Sequence, residues 1–343
     1  MIPELFELPF LHVTVKSYGL MMVVGFLLAI VLMGRCAKLI KHNPEHITNI
    51  ALCALVSGII GARVFYVVHN FDSYRGNLLS VFSIWNGGLE LLGGVFLAVV
   101  VAVILLRRKK LPVRTYFDIL VIGLMMGLAF GRVGCYLNGC CFGKPTESAC
   151  SITFPYASLS FERQVYPDHS RGREEPFIEL PAEYFGYETE DGKWITASEY
   201  NKFDMNLKPY EFLTDQQKED VKGKYRALGV IPSQFYSTAN AFVLCLVLYL
   251  FWRKFGMKCP GATLALMLIL YGPARFFLET LRDDNPFEKS WWTIYPGGTI
   301  SQNIGIFMFI VGVILMPVFI RIKPPKAGVV KKLNAKKQPA EVF

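Results

Sequence analysis

Charge is scarce in this chain: 18% of its 343 residues are Asp, Glu, Lys or Arg, against about 25% in an ordinary soluble domain. The deficit is uneven, with long apolar blocks alternating with short charged ones, the pattern that lipid-spanning segments require. Histidine is scarcer still, with five in the chain. No histidine cluster accompanies the eight cysteines, and the adjacent pair Cys140-Cys141 is poor spacing for zinc. The cysteines are too scattered for a disulfide framework, and Cys36, Cys53 and Cys245 lie in or beside apolar runs, where a free thiol behaves as a small hydrophobe. A cleavable signal peptide is not expected: the N-terminus is acidic at Glu4 and Glu7, and the first apolar run resembles a span more than a short secretion signal. The net charge of +9 does not indicate nucleic acid, since the basic residues sit in short runs beside the apolar blocks.

What is present is 53% hydrophobic residues, arranged to predict an all-α polytopic membrane protein. A bilayer core needs roughly 20 apolar residues per helix, and seven segments qualify: 17–37, 48–69, 91–106, 116–137, 233–252, 261–280 and 300–320. The third is short and has room to begin earlier, through Gly87 and Gly88. Basic residues follow alternate spans: Arg35, Lys38 and Lys41 after the first, 107–110 with Arg114 after the third, Arg253, Lys254 and Lys258 after the fifth, and Arg321 onward after the seventh. Positive loops stay cytoplasmic, so the N-terminus is expected outside and the C-terminus inside.

This divides the chain into a membrane domain over 1–143, an external segment over 144–232, a second membrane domain over 233–322 and a basic cytoplasmic tail over 323–343. The segment 144–232 is polar but rich in aromatics, among them Phe154, Tyr184, Phe185 and Trp194, enough to expect a small folded core. The tail is rich in Lys and Pro and suited to touch anionic headgroups.

Three arginines fall inside or at the ends of spans, where charge is costly and hints at function. Arg63, Arg132 and Arg275 are all expected toward the outer leaflet, and guanidinium groups converging there suit a phosphate. Snorkelling to the headgroups is the plainer alternative, and Arg275 with Glu279 is also spaced for a structural ion pair. Glycines at 131, 134, 139 and 143 surround Arg132 and allow backbone to approach a ligand closely.

These residues bring a family into view. The chain resembles phosphatidylglycerol–prolipoprotein diacylglyceryl transferases from Tyr18-Gly19-Leu20-Met21 through Gly61-Ala62-Arg63, Trp85-Asn86-Gly87-Gly88 and Gly93-Gly94. The likeness continues through Gly131-Arg132-Val133-Gly134, Leu137-Asn138-Gly139 and Gly143, and resumes at Pro232-Ser233-Gln234-Phe235-Tyr236. It ends with Tyr271-Gly272, Arg275-Phe276, Glu279, Arg282 and Ser301-Gln302. The resemblance implies an enzyme of the bacterial cytoplasmic membrane, open to the outer leaflet, without metal or other cofactor. Its substrates would be phosphatidylglycerol and the lipobox cysteine of a prolipoprotein, and its products a thioether-linked lipoprotein precursor and glycerol 1-phosphate. The alternative is a paralogue that binds the lipid or docks lipoproteins without catalysis.

On this resemblance Arg132 and Arg275 are the expected catalytic residues, stabilising charge on the leaving phosphate. Arg63, Arg282 and Glu279, the amides Asn138, Gln234 and Gln302, the aromatics Tyr18 and Tyr271, and Gly143 are expected to bind substrate. Three positions depart from the family pattern. Leu92 stands where a histidine is common, Cys135 where asparagine is, and Ser237 where glutamate is. With Leu92 unable to take a proton, His69 or Glu279 is the candidate substitute base, or nearby arginines lower the thiol pKa without one. Cys135, Cys140, Cys141 and Cys150 are compatible with apolar packing, a disulfide or a thiol intermediate.

Overall fold

The apolar blocks form seven helices long enough to cross a membrane. They are α1 (Ser17–Leu39), α2 (Pro44–His69), α3 (Leu91–Arg108), α4 (Val113–Asn138), α7 (Ser233–Phe251), α8 (Ala262–Thr280) and α9 (Ile300–Arg321). A π-helical turn, Trp252–Gly256, extends α7. The computed structural model describes residues 4–8, 13–75, 78–83, 88, 90–169, 172–283, 295 and 298–322. The Trp85-Asn86-Gly87 stretch and the basic tail lie outside the described residues.

In hydrocarbon every backbone polar group must be satisfied internally, which a continuous helix achieves. Side chains such as Val23, Leu27 and Val31 on α1 and Phe307 and Ile314 on α9 face outward, as contact with lipid tails requires. Local signals set the starts. Asn43 caps α2 by accepting a hydrogen bond from the Glu45 amide at 2.9 Å, with Pro44 opening the helix. The third span starts at Leu91 behind Glu90. It does not extend back through Gly88, which takes φ +73° outside the helix.

Contacts group the chain into two compact units. The first comprises Met1–Gly25, Met126–Leu244 and Ile269–Ile310; the second comprises Phe26–Met125, Cys245–Leu268 and Val311–Phe343.

In the second unit α2 and α3 pack through glycine. A Cβ on Gly61 would stand 2.5 Å from the Gly93 carbonyl oxygen, and one on Gly94 2.8 Å from that of Gly58. Only hydrogen at these positions lets the backbones meet. A second tie is polar: the fully buried Asp118 of α4 accepts from the amides of Gly261 at 2.7 Å and Leu264 at 2.8 Å, capping the start of α8.

The first unit opens with an antiparallel pair, β1 (Glu4–Leu8) and β2 (Val13–Lys16). Its segment between α4 and α7 holds two short helices, α5 (Leu159–Val165) and α6 (Asp215–Lys222). It also holds a three-stranded sheet of β3 (Phe185–Glu188), β4 (Trp194–Thr196) and β5 (Asn206–Leu207), in the order β4-β3-β5. Phe161, Val165, Leu180, Tyr184 and Phe185 are fully buried together with Leu213 and Val221, which gives the segment an apolar core of its own. Ser158 caps α5, and a capping box of Thr214 and Gln217 starts α6.

The two ends of this segment are paired with each other. Ile152 and Val230 exchange both backbone hydrogen bonds, at 3.0 and 2.8 Å, and Thr146 N donates to Gly229 O at 2.8 Å. Gly143 N donates to Ile231 O at 3.1 Å, and Lys144 N to Leu281 O at 3.0 Å.

Candidate active site

The residues of the first unit that the sequence singles out gather around the C-terminal ends of α4 and α8 and the start of α9. Arg275 and Glu279 lie one turn apart on α8, with Arg275 Nη2 2.7 Å from Glu279 Oε2. The same carboxylate oxygen is 3.4 Å from Arg282 Nη1. Arg275 Nη2 also donates to Ser301 Oγ of α9 at 2.9 Å. Arg282 Nη2 donates to the Cys141 sulphur at 3.5 Å. Glu279 is 4% exposed, so its charge is sheltered from water and the guanidiniums compensate it.

Arg132 behaves differently. It sits half-buried on α4, and its guanidinium makes no hydrogen bond or ion pair with any described residue. It lies near enough to Cys141 and Arg275 for their charges to interact. Tyr18, on the first turn of α1, packs against Gly134 two residues further along; a Cβ there would meet its ring at 3.1 Å. Tyr271 precedes Arg275 by one turn on α8.

Beyond α4 the chain turns sharply. Asn138 closes the helix, Gly139 takes φ +74° and Cys141 φ +60°. Gly143 then passes between Ile231 and Leu281, where a Cβ would stand 2.4 Å from one carbonyl oxygen and 2.9 Å from the other. Close backbone approach explains this glycine without invoking substrate. Gln234, at 1% exposure, donates from Nε2 to Cys140 O at 3.0 Å. Its Oε1 is buried with no hydrogen-bond partner among the described residues, a costly state that a ligand donor relieves. Hydrogen bonds from the Cys135 and Cys140 thiols, then the nearby Arg282 and Arg132 guanidiniums, hold the Cys141 thiol below its ordinary range, although burial opposes them.

Gln302 works locally. Its Oε1 accepts from Tyr295 Oη at 2.5 Å and from Thr299 N at 3.0 Å. Thr299 Oγ1 in turn accepts from Gln302 N at 3.3 Å. This reciprocal pair is a capping box for α9.

Two expected residues belong to the second unit. Arg63 is buried on α2, and its guanidinium donates to the carbonyls of Val81 at 2.7 Å, Ser80 at 2.8 Å and Gly88 at 3.1 Å. It organises the connection between α2 and α3. His69 ends α2 with Nδ1 2.7 Å from Glu90 Oε2. The sequence does not single out Glu90 as this partner, nor Ser301 as a partner of Arg275. Ser301 is itself among the residues that carry the family resemblance and Glu90 stands between two of its blocks, which is the signal that could have found them.

Comparison with known proteins matches the sequence to a family. Residues 3–318 fit the model for prolipoprotein diacylglyceryl transferase. The chain is similar to proteins named phosphatidylglycerol–prolipoprotein diacylglyceryl transferase in several bacteria. That of Paraburkholderia phymatum is 30% identical over 312 residues, covering 88% of each chain. That of Burkholderia lata is 30% identical over 314 residues, 88% of this chain and 90% of the relative. That of Clostridium tetani is 23% identical over 311 residues, 91% and 95% of the two chains. With nearly its whole length matched, the chain belongs to the prolipoprotein diacylglyceryl transferase family.

Proposed function

We infer that this membrane protein is an enzyme that transfers the diacylglyceryl group of phosphatidylglycerol to the lipobox cysteine of a prolipoprotein. Family membership and the names of its relatives support this. The cysteine sulphur forms a bond to the glyceryl carbon as that carbon's bond to the phosphate oxygen breaks. The electron pair leaves with the phosphate, so glycerol phosphate departs and the thiol proton goes to a base. A phosphodiester monoanion thereby becomes a monoester, and extra negative charge develops on its oxygens.

The observation that carries the assignment of roles is that the Arg132 guanidinium pairs with no described residue, whereas Arg275 is anchored through Nη2. Arg132 has donors to give to the phosphate and receives the developing charge. Arg275 is held in one orientation by Glu279 and Ser301 and presents its remaining donors to the same headgroup. Gln234 Oε1 accepts a glycerol hydroxyl, which satisfies its buried lone pairs. Asn138, Tyr18 and Tyr271 complete the lipid contacts.

Leu92 cannot take the thiol proton. In this reading the arginines of the site lower the thiol pKa, so that no dedicated base is needed. Glu279 is a poor base, since its Oε2 already holds two guanidiniums. The basic loops after alternate spans support a site open to the outer leaflet of the bacterial cytoplasmic membrane.

The test is direct. Purified protein in vesicles of labelled phosphatidylglycerol is given a lipobox peptide, and a thioether product is sought. Lipid bound with no product formed would replace the enzyme by a lipid-binding paralogue.

A further inference from the structure

Three sulphurs that the transfer reaction leaves unused come together where α4 ends. Cys135 lies on the last turn of the helix, and Cys140 and Cys141 follow the left-handed Gly139. Their Sγ atoms all lie within 4.8 Å of one another, and none of the three is in a disulfide. The backbone presenting them is fixed by bonds that do not use sulphur. Cys140 N donates to Cys135 O at 3.0 Å. The carbonyls of Cys140 and Cys141 accept from Gln234 Nε2 at 3.0 Å and Ser233 Oγ at 2.5 Å. Cys141 itself is held at φ +60°, a conformation that residues with a side chain rarely adopt and that persists only where the surroundings impose it.

Among the described residues this donor group is sulphur alone, with no imidazole or carboxylate in it. Zinc favours four ligands in a tetrahedron. A soft monovalent cation selects thiolates and is satisfied by three of them. Such a complex carries excess negative charge, and Arg282, 3.5 Å from the Cys141 sulphur, is placed to balance it. Cys140 also lines a cavity of about 300 Å³ with Phe142, Leu159, Glu162 and Tyr166, which supplies a route for an ion. We propose that Cys135, Cys140 and Cys141 form a three-sulphur binding site for a soft monovalent cation of the Cu(I) class.

Full-length reduced protein in detergent, under argon, is titrated with Cu(I) buffered by bicinchoninate. The site takes up one equivalent, and X-ray absorption at the copper edge shows a shell of three sulphurs. Cys135→Ser, Cys140→Ser and Cys141→Ser each weaken binding at least tenfold. Because a variant can misfold, the unaltered protein supplies a second readout: bound Cu(I) blocks maleimide labelling of Cys140 and Cys141, while the exposed Cys150 still reacts. Failure to compete with bicinchoninate, a shell containing nitrogen or oxygen, unchanged affinity in the three variants, or protection of Cys150 instead would each overturn the site.

Discussion

Arg275 and Glu279 form an ion pair of 2.7 Å one helical turn apart, with the carboxylate almost wholly buried. The spacing is that of an ordinary surface pair, but the burial changes its meaning. An exposed pair contributes about 0.3–0.5 kcal/mol, whereas removing one partner of a buried pair strands the other charge. Glu279→Gln is therefore expected to lower stability by roughly 3 kcal/mol, read by denaturant unfolding in detergent. A variant as stable as the parent would mean that water reaches this pair.

Arg132 gives the opposite expectation. Because its guanidinium pairs with no described residue, Arg132→Lys removes donors that only a ligand uses. Transfer should fall by about 100-fold or more, while stability changes by no more than about 0.5 kcal/mol. Arg275→Lys should reduce both. Near-normal transfer in the Arg132 variant would remove phosphate recognition from that residue.

Asp118 tests the fold alone. Asp118→Ala leaves the amides of Gly261 and Leu264 without their acceptor, at a cost of about 2–3 kcal/mol. Thermal unfolding monitored by tryptophan fluorescence should shift downward. No shift would mean that the start of α8 finds another cap.

The spans are legible in the sequence because they rest on a local property, continuous apolarity, and all seven begin within about four residues of the expected positions. The room for an earlier start of α3 goes unused, since the helix begins at Leu91 without the glycines before it. For the candidate site the sequence offers a list of residues, and the structure supplies the partners of each. Arg63 reads as an anion binder until Val81, Ser80 and Gly88 take its donors. Gln302 reads as a substrate amide until Thr299 makes it a cap. In both, the deciding partner is a backbone group, and backbone groups carry no signature in sequence. The cysteine triad is hidden for a different reason: adjacent thiols look mispositioned until left-handed backbone at Gly139 and Cys141 folds the turn.

The paired ends of the segment between α4 and α7 carry a consequence for how this protein can vary. The chain departs beside Pro145 and returns beside Val230, where Thr146 N donates to Gly229 O at 2.8 Å and Ile231 N to Lys144 O at 3.0 Å, so everything between hangs from a closed neck. Closure entropy grows only slowly with loop length, about 0.6 kcal/mol per doubling. Whatever is threaded through that neck, longer, shorter or foreign, leaves Gly143 and Lys144 held against Ile231 and Leu281. The neck is an insertion port: a place to graft a reporter domain or a binding module while the helix ends that carry Arg132 and Gln234 keep their anchorage.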